Sequence, residues 1–176
     1  ALPRLFEQVL DKANKLFPLL VVNVTEGSPQ GLLASLERKE LDVILVRASY
    51  ETDQPPFITE SLYTESISLV VRSKHPLAKK RRLKISELTS QDWILPPESA
   101  PVRQEIDRIF IQAGLTRPSA WIESTSLLLT ETAIAQRDFV AAMPHSVAKL
   151  YESRGQIKIL NNDFVVHMPP IGLVRR

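Results

Sequence analysis

The sequence predicts an α/β protein of two Rossmann-like subdomains. Three observations carry that prediction. Segments with helical apolar spacing alternate with short β-branched, apolar runs along most of the chain. Runs such as Leu41–Val46, apart from Asp42, and Trp93–Leu95 are apolar throughout, as strands buried on both faces require. The alternation also occurs twice, on either side of residues 73–84, the one strong charge run in the chain. Such alternation implies sheets crossed by helices through right-handed connections.

The first lobe is expected at residues 1–71 with a returning strand at 171–176, and the second at 73–168. Leu2, Leu5, Phe6, Val9, Leu10, Ala13, Leu16 and Phe17 recur every three to four residues, giving an amphipathic helix that Pro18 ends. Leu19–Thr25 reads as a strand. Ser28 is a natural N-cap and Pro29 a natural first residue for a helix running to Glu37. A strand follows at Leu41–Val46, then a polar loop over 47–56, then strands at Phe57–Tyr63 and Ile67–Arg72. In the second lobe a short helix near Ile85–Thr89 leads to the strand Trp93–Leu95, stopped by Pro96-Pro97. Helix Pro101–Ala113 ends at Gly114, which suits the left-handed position beyond a helix. Strand Ala120–Glu123, helix Leu127–Ala135, strand Phe139–Met143, helix Pro144–Glu152 and strand Gln156–Leu160 complete it, and Ile171–Arg175 is the last strand. Two lobes joined by two crossing segments predict a ligand cleft between them, with the carboxyl ends of parallel strands as its lining.

Composition narrows the chemistry. The 176 residues are 44% hydrophobic, with 22 basic and 20 acidic side chains, which fits a folded globular chain. There is no cysteine, which excludes disulfides, thiolate metal sites and a cysteine nucleophile. His75, His145 and His167 are far apart in sequence, and the expectation is no metal and no cofactor. His75, in the basic stretch, reads as a solvated surface histidine. No nucleophile elbow, zinc-protease helix or phosphate loop occurs, so no catalytic residue is proposed. No apolar run is long enough to cross a membrane. The chain starts at Ala1 without an initiator Met and stops inside a predicted strand, and is read as a piece of a longer protein cut at both ends.

Small hydroxyl-bearing turns open three predicted helices: Glu26-Gly27-Ser28, Glu98-Ser99-Ala100-Pro101 and Glu123-Ser124-Thr125-Ser126. Helix starts carry unpaired N–H groups and partial positive charge, and so receive small anions. Helix capping is the stronger reading of each turn taken singly, and their recurrence in both lobes is what favours a ligand. Lys74, Lys79, Lys80, Arg81, Arg82 and Lys84 form the charge run, read either as a solvated loop or as a phosphate contact without aromatic stacking.

The ordered motifs resemble the effector-binding domain of LysR-type transcriptional regulators. They are Val24-Thr25-Glu26-Gly27 with Leu32-Leu33 and Glu40-Leu41-Asp42-Val43; Leu69-Val70-Val71-Arg72 with His75-Pro76-Leu77-Ala78; Trp93-Ile94-Leu95-Pro96-Pro97 with Pro101-Val102-Arg103; and Ala141-Ala142-Met143-Pro144 with Ser146-Val147-Ala148. Asp138-Phe139-Val140-Ala141 and the Met168–Gly172 ending look most like the subgroup that regulates sugar-binding-protein and aromatic-catabolism genes.

The resemblance implies a fold like type 2 periplasmic binding proteins, here lacking a first strand and a last helix. It implies a small-molecule effector, an organic acid, aromatic or sugar, that alters dimer and tetramer assembly on DNA. DNA would be held only by a winged helix-turn-helix upstream, in the cytoplasm and away from membranes. Dimers would set the first helix of one chain on the second lobe of the other. The effector residues carried across are Ser99, Ala100, Val102, Arg103, Ser124, Thr125, Ser126 and Phe139. Ala100 stands where the family usually has a hydroxyl, and Phe139 replaces a usual glycine and would narrow the pocket. Arg137, where the family often has the other glycine, would cap its helix or reach an anion. An extracytoplasmic solute receptor of the same fold is the alternative reading.

Overall fold

The computed structural model describes residues 2–47, 52 and 54–176, with side chains from Phe6 onward. Part of the expected 47–56 loop, and the side chains of Leu2 and Leu5, lie outside the described residues. The chain divides into two units, residues 1–64 with 169–176, and residues 65–168.

Unit 1 contains α1 (Leu2–Leu16), α2 (Pro29–Glu37), β1 (Ile44–Arg47), β2 (Ile58–Tyr63) and β8 (Ile171–Arg175). Ser28 caps α2 as expected, its hydroxyl accepting from the Gly31 N–H at 3.2 Å, with Pro29 in the first turn. The sheet has the order β1-β8-β2, and both pairings are antiparallel. Gly172 belongs in the middle of β8 because a Cβ there would come within 2.9 Å of the Thr59 methyl. Leu36, Ile44, Val46 and Val174 form a small core, with Leu32, Leu33, Leu41 and Phe57 packed on it.

The strand expected at Leu19–Thr25 does not form, and no parallel pair forms among the described residues of this unit. A β-prone run needs a neighbour for its N–H and C=O groups, and none of the described strands pairs with it. Leu19 is 96% exposed and Val21 77%.

Unit 2 contains β3 (Ile67–Arg72), β4 (Asp92–Leu95), α3 (Pro101–Gln112), β5 (Ala120–Glu123), α4 (Leu127–Gln136), β6 (Phe139–Pro144), α5 (His145–Ser153) and β7 (Ile157–Ile159). The sheet order is β5-β4-β6-β3-β7. The β5-β4 and β4-β6 pairs are parallel, and the β6-β3 and β3-β7 pairs antiparallel. β3, expected in the first lobe, is therefore an interior strand of the second sheet. Its run Ile67–Val71 is buried throughout, which only a strand covered on both faces sustains.

Alternate residues feed two cores. Leu69, Val71, Trp93, Leu95 and Val140 meet Ile106 and Phe110 of α3, with Leu77, Leu83 and Leu88 from the segment between β3 and β4. Val70, Ile94, Phe139, Ala141 and Met143 meet Ile134 of α4 and Ala148 of α5. Trp93 sets its ring edge-to-face on Phe110, 6.0 Å between centroids, and its indole N–H donates to the Leu88 carbonyl. Gly114 ends α3 at φ +70°, the left-handed conformation anticipated for it.

His75 is not the solvated residue expected. It is 2% exposed, its Nδ1 accepts from the Leu77 N–H at 3.0 Å, and its Nε2 has no hydrogen-bond partner. The Pro76–Lys79 turn folds over it and the side chain supplies the cap. Burial pushes its pKa below the ordinary histidine value. Asp138 opposes that shift and Arg72 adds to it. A histidine that resists protonation when folded supports the fold fully above its unfolded value near 6.5, and loses that support as pH falls below it. Urea midpoints should therefore drop between pH 7 and pH 5. The drop should be smaller in His75→Asn, which keeps a capping acceptor without a titrating ring. Equal drops in both chains would contradict this account.

Candidate functional site

Two of the three expected helix starts lie side by side in unit 2. β4 and β5 are parallel neighbours, so α3 and α4 both begin just beyond the carboxyl end of one sheet segment. The Ser124 N–H donates to the Leu95 carbonyl at 2.9 Å and joins the two turns. The third turn, at Ser28, belongs to unit 1 and is occupied by its own cap.

The two adjacent starts are finished differently. At α4, the Ser126 hydroxyl accepts from the Leu129 N–H at 3.3 Å and the Ser124 hydroxyl from the Ser126 N–H at 3.0 Å. Both serines are committed to the turn. Thr125 between them is exposed, and its hydroxyl has no partner among the described residues. At α3, Ala100 holds the N-cap position and supplies no side-chain bond, while Pro101 brings no N–H of its own. The Val102 and Arg103 N–H groups are thus left without a cap, and Ser99 is exposed alongside.

Arg103 has a different role from the one its position suggested. Its guanidinium is 5% exposed and turned into the protein. Nε sits 3.1 and 3.2 Å from the two carboxylate oxygens of Asp107, one turn further along α3. Nη1 reaches the Pro96 carbonyl at 3.4 Å and Glu123 at 3.5 Å, and Nη2 the Pro118 carbonyl at 3.5 Å. The side chain thereby ties α3 to the ends of β4 and β5, and its backbone N–H has no acceptor among the described residues.

Phe139 lies elsewhere. It begins β6, paired with Asp92 at the start of β4, whereas both helix starts follow the far ends of β4 and β5. It is 3% exposed and part of the core beneath α4. Trp121 covers it at 5.5 Å between centroids, with Arg137 stacked over both rings and 3.3 Å from Asp92. The large side chain fills the core there and does not narrow the pair of turns. Arg137 neither caps its helix through its side chain nor stands free for an anion.

A second organised contact escaped the sequence reading. Glu65 is buried, and its carboxylate accepts from the Ser146 N–H and hydroxyl, both at 3.0 Å, at the start of α5. Beside it the Ser68 hydroxyl and His145 Nδ1 are 2.7 Å apart. The partners are some 80 residues apart in sequence, so no local spacing announces them. No group of three or more metal-ligating side chains occurs among the described residues.

A family profile described as the LysR substrate binding domain matches residues 1–176. The chain belongs to this family. The HTH-type transcriptional regulator GalR of Pseudomonas putida is 30% identical over 156 residues, which cover 87% of this chain and 38% of that protein. The HTH-type transcriptional regulator GbpR of Rhizobium radiobacter is 25% identical over 138 residues, 78% of this chain and 46% of GbpR. The chain thus spans less than half the length of these relatives.

Among solved structures, the regulatory domain of Synechocystis PCC6803 CcmR in complex with 2-PG superposes with a TM-score of 0.81. It is 15% identical, and the match covers 98% of this chain and 82% of that one. The fold of the LysR substrate binding domain, which is like that of periplasmic binding proteins, is therefore the fold of this chain. No helix among the described residues is long and apolar enough to cross a membrane.

Proposed function

We propose that this chain is the effector-sensing part of a LysR-type transcriptional regulator and works by binding, not by turnover. A small organic acid, or a sugar or aromatic bearing an acidic group, is held at the uncapped start of α3 and the Thr125 turn. The uncapped α3 start carries this reading. Two adjacent N–H groups without a side-chain acceptor, at the positive end of a twelve-residue helix, form an anion receptor. Thr125 supplies a free hydroxyl beside it, and Ser99 a second. The relatives named as transcriptional regulators, and the CcmR domain solved with 2-PG, support this reading over a solute receptor outside the cytoplasm.

The two serines and the threonine of one turn separate binding from capping. Thr125→Ala should weaken effector binding by about 1.5–3 kcal/mol, the worth of a hydrogen bond to a charged group. It should leave stability within about 0.5 kcal/mol, because the side chain is exposed. Ser126→Ala should do the reverse, costing about 1 kcal/mol of stability through the lost cap. Titration calorimetry and urea unfolding read the two effects. Unchanged affinity in Thr125→Ala would remove the turn from the site.

DNA recognition in this reading belongs to a helix-turn-helix outside the 176 residues, and two copies of the chain associate. Val9, Leu16 and Phe17 on and after α1, with Leu19, Val21 and Val24, expose a continuous stretch of apolar side chains in unit 1. In unit 2, Trp121, Leu128 and Leu129 are exposed apolar side chains. Exposed apolar surface on this scale marks an interface, and α1 of one copy against unit 2 of the other covers both.

A further inference from the structure

Residues 72–84 hold seven of the chain's 22 basic side chains and none of its 20 acidic ones, so the remainder of the chain is net acidic. Two of the seven are paired: Arg72 with Asp138 at 2.5 Å, and Lys80 with Glu87. Lys84 flanks Glu87. Lys74, Lys79, Arg81 and Arg82 are exposed and take part in no ion pair among the described residues.

The fold adds a cation that the sequence run lacks. The Ser73 hydroxyl donates to the Gly155 carbonyl at 2.6 Å and so ties the backbone next to Lys74 to the backbone next to Arg154, which is exposed and in no ion pair among the described residues. The neighbouring carboxylates are mostly committed, Glu152 to Lys149 and Lys158 as well as Asp138 and Glu87 as above. Asp163, held beside Leu83, is exposed and has no ion-pair partner among the described residues.

This segment is not a loose solvated loop. His75, Leu77 and Leu83 are buried between the cations. The Leu83 N–H donates to the Asn161 carbonyl at 2.8 Å, the Asn161 amide to the Arg81 carbonyl at 2.5 Å, and the Asp163 N–H to the Leu83 carbonyl at 3.2 Å. The charges are thus presented from a fixed backbone, which lowers the ordering cost of engaging a polyanion.

We infer that this face of unit 2 is a contact surface for the phosphate backbone of duplex DNA, a second and sequence-independent hold beyond any helix-turn-helix. No Phe, Tyr or Trp lies between Arg72 and Asp92, so the basic run itself offers no platform for unpaired bases. The Asn161 and Asn162 amides bond internal carbonyls and are not free to read base edges. What remains is a rigid cluster of point charges, suited to phosphates. The inference rests on the proposed role in transcription, which supplies the DNA.

The test is fluorescence anisotropy of the 176-residue chain with a labelled 20-base-pair duplex of arbitrary sequence, between 50 and 200 mM salt. With about four phosphates neutralised, log K should fall against log salt with a slope of about −3.6, a loss of about 10²-fold over that range. The triple variant Lys79→Glu, Arg81→Glu, Arg82→Glu should lose binding at least tenfold with its melting curve unchanged. Asp163→Asn should tighten it. If the charge reversals fail to fold, the corresponding three Gln substitutions give the same readout.

No duplex binding at 50 mM salt, or binding that survives in the folded variant, would overturn the inference. So would retention of polyglutamate with the duplex ignored, which would assign the face to an acidic protein surface. Absent duplex binding with an intact effector response would leave the sensing role standing. A silent effector panel with salt-dependent duplex binding would do the opposite.

Discussion

Replacing Arg103 by Met is expected to destabilise the chain by about 3–5 kcal/mol, because it leaves a buried carboxylate without its main partner. Asp107 is 8% exposed and meets Arg103 through both oxygens, while Arg117 stands off at 3.7 Å from a largely exposed position. The substitution keeps the bulk of the side chain and removes only the charge and its donors. The bonds to the Pro96 and Pro118 carbonyls go with it. The double variant Arg103→Met, Asp107→Leu should recover most of the loss, since a buried pair is often exchangeable for packed apolar groups. Urea midpoints at constant m measure both. A loss below about 0.5 kcal/mol in the single variant would show that the guanidinium is dispensable and free to turn toward a ligand.

The second large effect concerns association. The proposed contact is the exposed apolar stretch on α1 and residues 19–24. Phe17 is 62% exposed, and with Leu19 and Val21 it belongs to a segment with no strand partner among the described residues. A fully buried side chain of this size contributes about 1.5–3 kcal/mol. The double variant Phe17→Asp, Val21→Asp should therefore raise the dimer dissociation constant by about 10²–10⁴-fold. Sedimentation equilibrium should find the unmodified chain dimeric at micromolar concentration and the variant monomeric. A monomeric unmodified chain, or a variant that stays dimeric, would place the contact elsewhere.

What the residues disclosed follows from the range of the forces involved. Helix starts and stops are local, and Ser28-Pro29, Pro101 and Gly114 mark them directly. The continuous apolar runs at β3 and β4 likewise announce strands covered on both faces. Assigning β3 to a unit was not local, because it depends on which strands pair with it, and those partners begin at Phe139 and Ile157. Leu19–Thr25 has the β-propensity of a strand but does not form one, because none of the described strands pairs with it. His75 looked like surface because lysines and arginines surround it in sequence. It is core because Pro76 turns the chain back over the ring.

The site divides in the same way. Ser124, Thr125 and Ser126 stand where a turn after a strand puts them, and Ala100 was visible as a missing cap. That two helix starts become neighbours needs only the parallel pairing of β4 with β5. The inward turn of Arg103 needs Asp107, Pro118 and Glu123 in three dimensions, although the four-residue spacing from Arg103 to Asp107 was open to view. Phe139 was placed near the ligand by analogy of motif. Its position at the first residue of β6 puts it at the opposite end of the sheet.

Thermal melting of the 176-residue chain against a panel of organic acids, sugars and aromatic carboxylates, run in parallel on Thr125→Ala, tests the central claim most directly. Sensing predicts that one chemical class raises the melting temperature in proportion to the logarithm of its concentration. At a hundred times its dissociation constant that ligand should add about 2.7 kcal/mol, and the gain should shrink in Thr125→Ala. A panel that leaves the melting temperature unmoved, or a shift of equal size in the variant, would contradict the proposal that this turn and the open start of α3 hold an effector.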